Sequence, residues 1–202
     1  MEKLSNFLTM EYATGNNYPR NKEDIFKAYR LASWESLRVV IIGDEPHFSS
    51  GYHALAYSDE YIHAYHNGSI TSIAACIERE YYDGLNLDFD YSLESWAKQG
   101  VLMLNRSITV KANNIHSHRK PWNKFFLATI QAIVDYKPGT IFMLWGKEQY
   151  EDIIPMLHNQ HVFTWEHPHA ALMERREWNC PNFKQVDKLL EHLNGRENII
   201  KW

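Results

Sequence analysis

The sequence predicts an α/β fold, a three-layer helix–sheet–helix sandwich around a central, mainly parallel four-stranded sheet. Two observations carry this prediction. Four short apolar runs, rich in β-branched and aromatic residues, lie at 38–43, 101–104, 140–145 and 161–165, as in strands that are buried on both faces. Segments with helical periodicity alternate with these runs, which is typical of parallel sheets. The length of 202 residues suits a single domain, 1–202, with a sizeable core.

The N-terminal half begins with a polar and aromatic stretch, 1–20, in which Asn16-Asn17-Tyr18-Pro19 marks a loop. A helix is predicted for 21–31, where an asparagine can cap apolar residues at helical spacing. The strand at 38–43 has four consecutive β-branched residues and stops at a glycine. The apolar run 53–58 is interpreted as a short additional strand, and isoleucines at helical spacing predict a helix at 69–82.

The second half alternates helices and strands in the same way. Apolar residues at helical spacing predict four helices, at 93–99, 122–136, 149–158 (interrupted at Pro155) and 182–193. Between them lie the other three apolar runs, which end next to Asn105, Gly146 and the pair Glu166-His167.

The charge balance excludes a broad basic surface. The chain has 21 Lys and Arg residues against 25 Asp and Glu, so any contact with nucleic acid has to be local and helped by stacking on aromatic rings. Two cysteines are too few for a disulfide framework. No apolar run is long enough to cross a bilayer, and the N-terminus lacks a secretory hydrophobic segment. We therefore expect a monomer without membrane contact, in the cytoplasm or associated with the nucleoid.

Chemically useful residues follow the four predicted strands. Asp44 and Glu45 come directly after the first, and Asn105, Gly146 and His167 follow the others. Because the carboxyl ends of parallel strands meet at one edge, where α/β sheets place their ligand crevices, we expect these residues to converge. Two carboxylates, an amide and an imidazole suit acid/base chemistry on a polar ring. The alternative for Asp44 and Glu45 is a solvated turn, and Asn105 alone is equally compatible with a strand cap.

Several sequence blocks point to one family. The most specific reads LESWAKQGVLMLN at 93–105 and continues into Ile108-Thr109-Val110. Shorter matching blocks are Ser117-His118 with Trp122 and Phe125, Phe142 to Gly146, His167-Pro168, and Cys180 with Phe183. An altered opening motif, GDEPHF, stands at 43–48. With these blocks the chain resembles the family-1 uracil-DNA glycosylases from about residue 25 to residue 202.

The resemblance implies an enzyme of base excision repair that flips uracil out of DNA and breaks its N-glycosidic bond without a metal or other cofactor. By position, Glu45 matches the carboxylate that steadies the cationic sugar and positions water. His167 matches the donor to the uracil O2, and Asn105 matches the amide that reads the pyrimidine edge. Tyr57 replaces the phenylalanine on which the base stacks.

The resemblance also implies DNA, single-stranded or duplex, as the partner. The positions that match the family's DNA-contacting loops are Ser72, Gly146, Lys147, His169, Ala171, Leu172 and Arg175. Ala171 stands where a leucine fills the gap left by the flipped base, with Leu172 as the next residue. Because alanine is too small for this role, we expect single-stranded or mismatched DNA to be preferred unless Leu172 substitutes.

Other differences from the family lie at positions that are expected to surround the flipped base. Asp44 replaces a glutamine that contacts the base, which places a second carboxylate beside Glu45 and predicts a raised pKa for one of the two. Glu45 is one methylene longer than the family's aspartate. His47 replaces the tyrosine that excludes a 5-methyl group, so a 5-substituted uracil is an additional candidate substrate. The loop between Glu45 and Tyr57 is one residue shorter than in the family.

Two alternatives stay open at this point. The histidine pairs His63/His66, His116/His118 and His167/His169 are compatible with a metal site, although no third ligand is organised around them in the sequence. The altered motif is also compatible with a non-catalytic DNA- or protein-binding module on a glycosylase scaffold. Such a module would serve as a replication accessory factor, and either form of the protein is a candidate for a replication or inhibitor protein partner.

Overall fold

The computed structural model describes residues 2–48, 51–60, 68–84 and 88–202. A parallel sheet of four strands, in the order β3-β2-β5-β6, forms its centre. These strands are β2 (Val39–Gly43), β3 (Val101–Asn105), β5 (Ile141–Trp145) and β6 (His161–Trp165). The two-residue strands β1 (Asn17–Tyr18) and β4 (Val110–Lys111) form a separate antiparallel pair. The predicted four-stranded parallel sheet is therefore confirmed.

Helices flank the sheet, as the α/β prediction requires. They are α1 (Glu2–Ala13), α2 (Lys27–Leu31), α3 (Gly68–Tyr81), α4 (Glu94–Lys98), α5 (Arg119–Tyr136), α6 (Pro168–Met173) and α7 (Asn182–Asn194). Short 3₁₀ turns lie at Lys22–Asp24, Lys147–Tyr150, Ile154–Met156 and Arg196–Asn198. Within the described ranges, no helix has the length and apolar character that crossing a bilayer requires.

The register of the sheet aligns the carboxyl ends of its strands. Gly43 at the end of β2 pairs with Asn105 at the end of β3, and Trp145 of β5 pairs with Trp165 of β6. The four apolar residues of β2 have no exposed surface, because a central parallel strand is covered on both faces. The residues that follow each strand are thereby brought to one edge of the sheet, as predicted.

The N-terminal segment contains helix α1, which the residue pattern did not predict. Half-buried residues of α1 recur at Leu4, Phe7, Leu8, Glu11 and Tyr12, which is the spacing of one helix face. This face contributes little to the core, because none of the helix's residues is fully buried. The ring of Phe7 lies edge-on to the His118 ring at 5.0 Å, so α1 packs beside the start of α5.

The apolar run 53–58 is a buried loop and not a strand. Ala54 and Tyr57 have positive φ angles of 62° and 67°, which a β-strand cannot accommodate. Leu55 and Ala56 are nevertheless fully buried, and the Ala56 N–H donates to the Met103 carbonyl of β3 at 3.1 Å. The apolar composition therefore reflects burial of the loop against the sheet.

Two helix boundaries also differ from the prediction. Helix α5 begins at Arg119, three residues before Trp122, because Pro121 is tolerated in the first turn, where its missing N–H has no helical partner. The predicted helix at 149–158 is replaced by the 3₁₀ turns Lys147–Tyr150 and Ile154–Met156. Pro155 prevents one continuous helix through this segment.

Candidate active site

A cavity of about 330 Å³ opens at the carboxyl edge of the sheet. Its lining includes six residues predicted for chemistry or base binding: Asp44, Glu45, His47, Tyr57, Asn105 and His167. Gly43, Pro46, Phe48, Tyr52, Ser58, Ser69 and Ile115 complete the wall. The structure therefore brings together the carboxylates, the amide and the imidazole that the strand ends predicted.

Glu45 is held by the loop that precedes α5. Its side chain is 11% exposed, and Oε2 accepts a hydrogen bond of 2.8 Å from the backbone N–H of His116. Oε1 accepts no hydrogen bond within the described part of the chain, so it is available to a ligand in the cavity. Burial raises the pKa of Glu45, the neighbouring charge of Asp44 raises it further, and the His116 N–H opposes both.

Asp44 is occupied by an ion pair. Its Oδ1 accepts from the Arg119 guanidinium at 2.9 Å, and its Oδ2 lies 3.4 Å from the His116 Nδ1. Because Arg119 carries a permanent positive charge, it offsets the second carboxylate that the altered motif places in this site. The pairing leaves Glu45 as the less constrained acid.

His167 follows β6 and caps α6. Its Nδ1 accepts the backbone N–H of His169 at 3.2 Å, so the neutral ring carries its proton on Nε2. Burial lowers the pKa of His167, the nearby His169 lowers it further, and Asp44 raises it. The imidazole is therefore neutral at pH 7 and provides an Nε2–H donor.

Asn105 ends β3 and is almost fully buried. Its Nδ2 donates to the Tyr52 hydroxyl at 2.9 Å. Its Oδ1 lies against the backbone of Gly43, where an added Cβ would stand only 2.5 Å away. Glycine at position 43 is therefore needed for the amide to occupy this place.

Tyr57 forms an aromatic wall between two other rings. The centre of its ring lies 5.3 Å from that of Trp145 and 5.9 Å from that of His167. Its hydroxyl donates to the Ile42 carbonyl at 3.2 Å, which satisfies the polar group that a phenylalanine would lack. The positive φ of Tyr57 is a strained conformation of the kind that clusters at functional sites.

His47 lies on the more open side of the cavity, with 44% of its side chain exposed. Its Nδ1 lies 3.9 Å from Oδ2 of the fully buried Asp59. Burial lowers the pKa of His47, Asp59 raises it, and His169 lowers it.

Three of the predicted DNA contacts share a neighbouring cleft. Ser72, Leu172 and Arg175 line a space of about 590 Å³ between α3 and the segment that follows α6. The guanidinium of Arg175 and the ammonium of Lys147 form no ion pair in the part of the chain that the structure describes, and both residues are exposed. Arg176 is instead paired with Glu166 and Glu174.

The side chain of Ala171, one of the predicted DNA contacts, is fully buried. Leu172, the next residue, is 47% exposed and projects over the start of α3, where a Cβ on Gly68 would lie 2.1 Å from its Cδ2. His169 lies beside the same glycine, and Gly146 has a φ of 89° and lies next to the His167 Cβ. Of these two neighbouring residues, only Leu172 has an exposed apolar side chain.

Sequence reasoning missed Tyr52 and Arg119, and it named His116 only as one half of a possible metal-binding pair. His116 and Arg119 flank the matched Ser117-His118 pair, and this adjacency is a signal that could have pointed to both. His118 itself is structural: it is buried, and its Nδ1 lies 2.8 Å from the Thr109 hydroxyl. His63 and His66 lie outside the described residues.

The chain is similar in sequence to known uracil-DNA glycosylases. The model of the uracil DNA glycosylase superfamily matches residues 33–194. The uracil-DNA glycosylase of Bacillus cereus (strain G9842) is 32% identical over 202 residues, which cover 98% of this chain and 87% of the relative. The uracil-DNA glycosylase of Proteus mirabilis (strain HI4320) is 34% identical over 186 residues, covering 88% and 79%.

Solved structures share the fold at lower identity. Mimivirus uracil-DNA glycosylase aligns with a TM-score of 0.69 at 20% identity, over 83% of this chain and 63% of that one. A variant of mimivirus UNG in complex with UGI aligns with a TM-score of 0.78 at 18% identity, over 99% and 81%. These solved structures therefore share the fold over most of this chain.

Proposed function

The chain belongs to the uracil-DNA glycosylase superfamily, and we propose that it hydrolyses the N-glycosidic bond of uracil in DNA, leaving an abasic site. The observation that carries this proposal is the convergence in one cavity of Glu45, Asn105 and a neutral His167. Tyr57 supplies the aromatic wall against which a flipped base stacks. The cavity volume of about 330 Å³ leaves room for a single pyrimidine ring.

Glu45 and His167 are proposed to stabilise the two opposite charges that develop in the reaction. As the bond breaks, the sugar becomes cationic and the departing uracil becomes anionic. The Glu45 carboxylate stabilises the sugar cation and accepts a proton from the attacking water. The His167 Nε2–H donates to the uracil O2, and a neutral donor is sufficient because the anion is delocalised over the ring. Asn105 reads the pyrimidine edge as both donor and acceptor.

The DNA backbone is proposed to cross the face that carries Ser72, Gly146, Lys147, His169 and Arg175. Lys147 and Arg175 provide two exposed cations without ion-pair partners among the described residues. Leu172 takes the wedge role for which Ala171 is too deeply buried. With few cations available for phosphates, binding should depend only weakly on salt.

The rate of uracil release should fall as the pH is lowered through the raised pKa of Glu45. The reactive form is the carboxylate, so a raised pKa moves the acid limb above the ordinary range of glutamate. Burial lowers the pKa of His167, so its titration moves away from neutral pH, and the protonated ring would still carry the Nε2–H donor. The measurement is the single-turnover rate from pH 4.5 to 8.

Asp44→Asn provides the matched variant for this profile. It removes a neighbouring negative charge that raises the Glu45 pKa, so the acid limb should move to lower pH. The same variant frees the Arg119 guanidinium from its ion pair with Asp44, and this positive charge also lowers the pKa of Glu45. An acid limb that stays in place in Asp44→Asn would show that Glu45 is not the titrating group.

We further propose that the site accepts 5-substituted uracils. His47 replaces a larger ring at the expected C5 side, and Asp59 lies on the Nδ1 side of the imidazole. The neutral ring then presents Nε2 as an acceptor for the hydroxyl of 5-hydroxymethyluracil. A methyl group gains no such bond, although the space admits it.

The wild type should therefore release 5-hydroxymethyluracil at a rate within about tenfold of its rate for uracil. A pocket that excluded the 5-substituent sterically would lower the rate by at least about tenfold. His47→Tyr should slow release of thymine and 5-hydroxymethyluracil while uracil release changes little. Matched oligonucleotides with each base provide the comparison. If the wild type rejects both 5-substituted bases as strongly as His47→Tyr does, the widened pocket does not exist.

The proposed function is tested by chromatographic detection of free uracil after incubation with oligonucleotides that contain one uracil. Single-stranded and mismatched substrates should react faster than fully paired duplex, and an oligonucleotide with cytosine at the same position serves as the unreactive reference. No base release from any modified pyrimidine, together with retained DNA binding, would favour the non-catalytic binding module. A replication or inhibitor protein would then be the partner to seek.

A further inference from the structure

Tyr52 holds the amide that is expected to read the base. Its hydroxyl oxygen accepts the hydrogen bond from Asn105 Nδ2 at 2.9 Å, and both residues line the cavity. Tyr52 comes from the loop between β2 and the buried segment 53–58, so it reaches the site from a different element than Asn105 does. The two side chains therefore form one polar pair on the cavity wall.

The pair leaves one hydrogen-bond donor, the Tyr52 hydroxyl, available to a ligand. The Tyr52 oxygen receives a hydrogen from Asn105, while its own O–H has no acceptor within the described ranges. Burial raises the pKa of Tyr52, so the hydroxyl keeps its proton at neutral pH. The free O–H is thus a donor next to the amide on the cavity wall.

We propose that Tyr52 is a specificity-determining residue whose hydroxyl donates to the C4 oxygen of the pyrimidine, adjacent to the edge that Asn105 contacts. This inference rests on the proposed function, because it names how that site selects its base. Uracil and its 5-substituted relatives present a carbonyl oxygen at C4, which accepts from Tyr52. Cytosine presents an amino group there, so two donors face each other and neither is satisfied.

Tyr52→Phe tests the proposal because it removes only the hydroxyl. Two free bases serve as probes: uracil, and 4-thiouracil, which keeps N3–H and carries sulfur, a weak hydrogen-bond acceptor, in place of the C4 oxygen. Binding is measured directly by calorimetry, without DNA and without turnover. The wild type should prefer uracil over 4-thiouracil by up to about tenfold, the value of one neutral hydrogen bond, and Tyr52→Phe should lose most of that preference. Tyr136→Phe, at an exposed tyrosine, should behave as the wild type does.

Two results would overturn the proposal. If Tyr52→Phe weakens both bases by the same factor, Tyr52 only holds Asn105 in place. If the wild type shows no preference for uracil, or the preference survives in Tyr52→Phe, the hydroxyl does not bind the C4 oxygen. Failure of the proposed function is seen separately, as a wild type that releases no uracil from DNA, since base binding is measured here without catalysis.

Discussion

Glu45→Gln is expected to lower the single-turnover rate of uracil release by at least about 100-fold. The substitution keeps the length of the side chain, and the amide oxygen can still accept the hydrogen bond from the His116 N–H. What is lost is the negative charge that stabilises the sugar cation and the base that takes a proton from water. Thermal unfolding should be little changed, because the side-chain volume and the hydrogen bond are retained.

Glu151→Gln is a suitable control for this experiment, because Glu151 is exposed and does not line the cavity. It should keep the wild-type rate. Equal rates in the wild type and Glu45→Gln would show that the carboxylate of this cavity does not take part in the reaction. Glu45 would then be only a structural partner of the 112–118 loop.

His167→Ala should also lower the rate by at least about 100-fold, because no other residue is proposed to donate to the uracil O2. This variant loses a second interaction, since the His167 Nδ1 also caps α6. Loss of the cap costs about 1 kcal/mol of stability and has to be separated from the effect on chemistry.

His167→Asn makes that separation. Asparagine is a good N-cap residue, so it should restore the stability that His167→Ala loses, but it is too short to place a donor where the imidazole Nε2 lies. We expect a nearly wild-type unfolding temperature and a rate as low as that of His167→Ala. Recovery of the rate in His167→Asn would show that the cap, and not the donor, supports activity.

The convergence of the site was predictable because it depends on the sheet. Buried apolar runs identify parallel strands, and parallel strands place the residues that follow them at one edge. Asp44, Asn105 and His167 could therefore be grouped from the order of the chain alone. The resemblance to a known family then gave each of them an expected role, which remains a proposal until the variants above are measured.

The partners of these residues were less predictable, because they come from loops whose path the strand pattern does not determine. Arg119 reaches Asp44 across 75 positions of sequence, and Tyr52 meets Asn105 across 53. The burial of Ala171 was unpredictable for the same reason. Which residue of a short helix is buried depends on how α6 packs on α3, and that packing leaves Leu172 exposed instead. Helix α1 was missed because its apolar face is too weak to stand out among polar residues.

The most direct test is a single-turnover time course on a labelled single strand with one uracil, followed by alkali cleavage at abasic sites. The wild type and the double variant Glu45→Gln/His167→Ala are compared at equal concentration. We expect complete cleavage by the wild type and a reduction of at least about 100-fold in the double variant, whose folding is verified by thermal unfolding. A folded double variant that cleaves at the wild-type rate, or a wild type that leaves the strand intact, would contradict the assignment of this cavity as a uracil-excising active site.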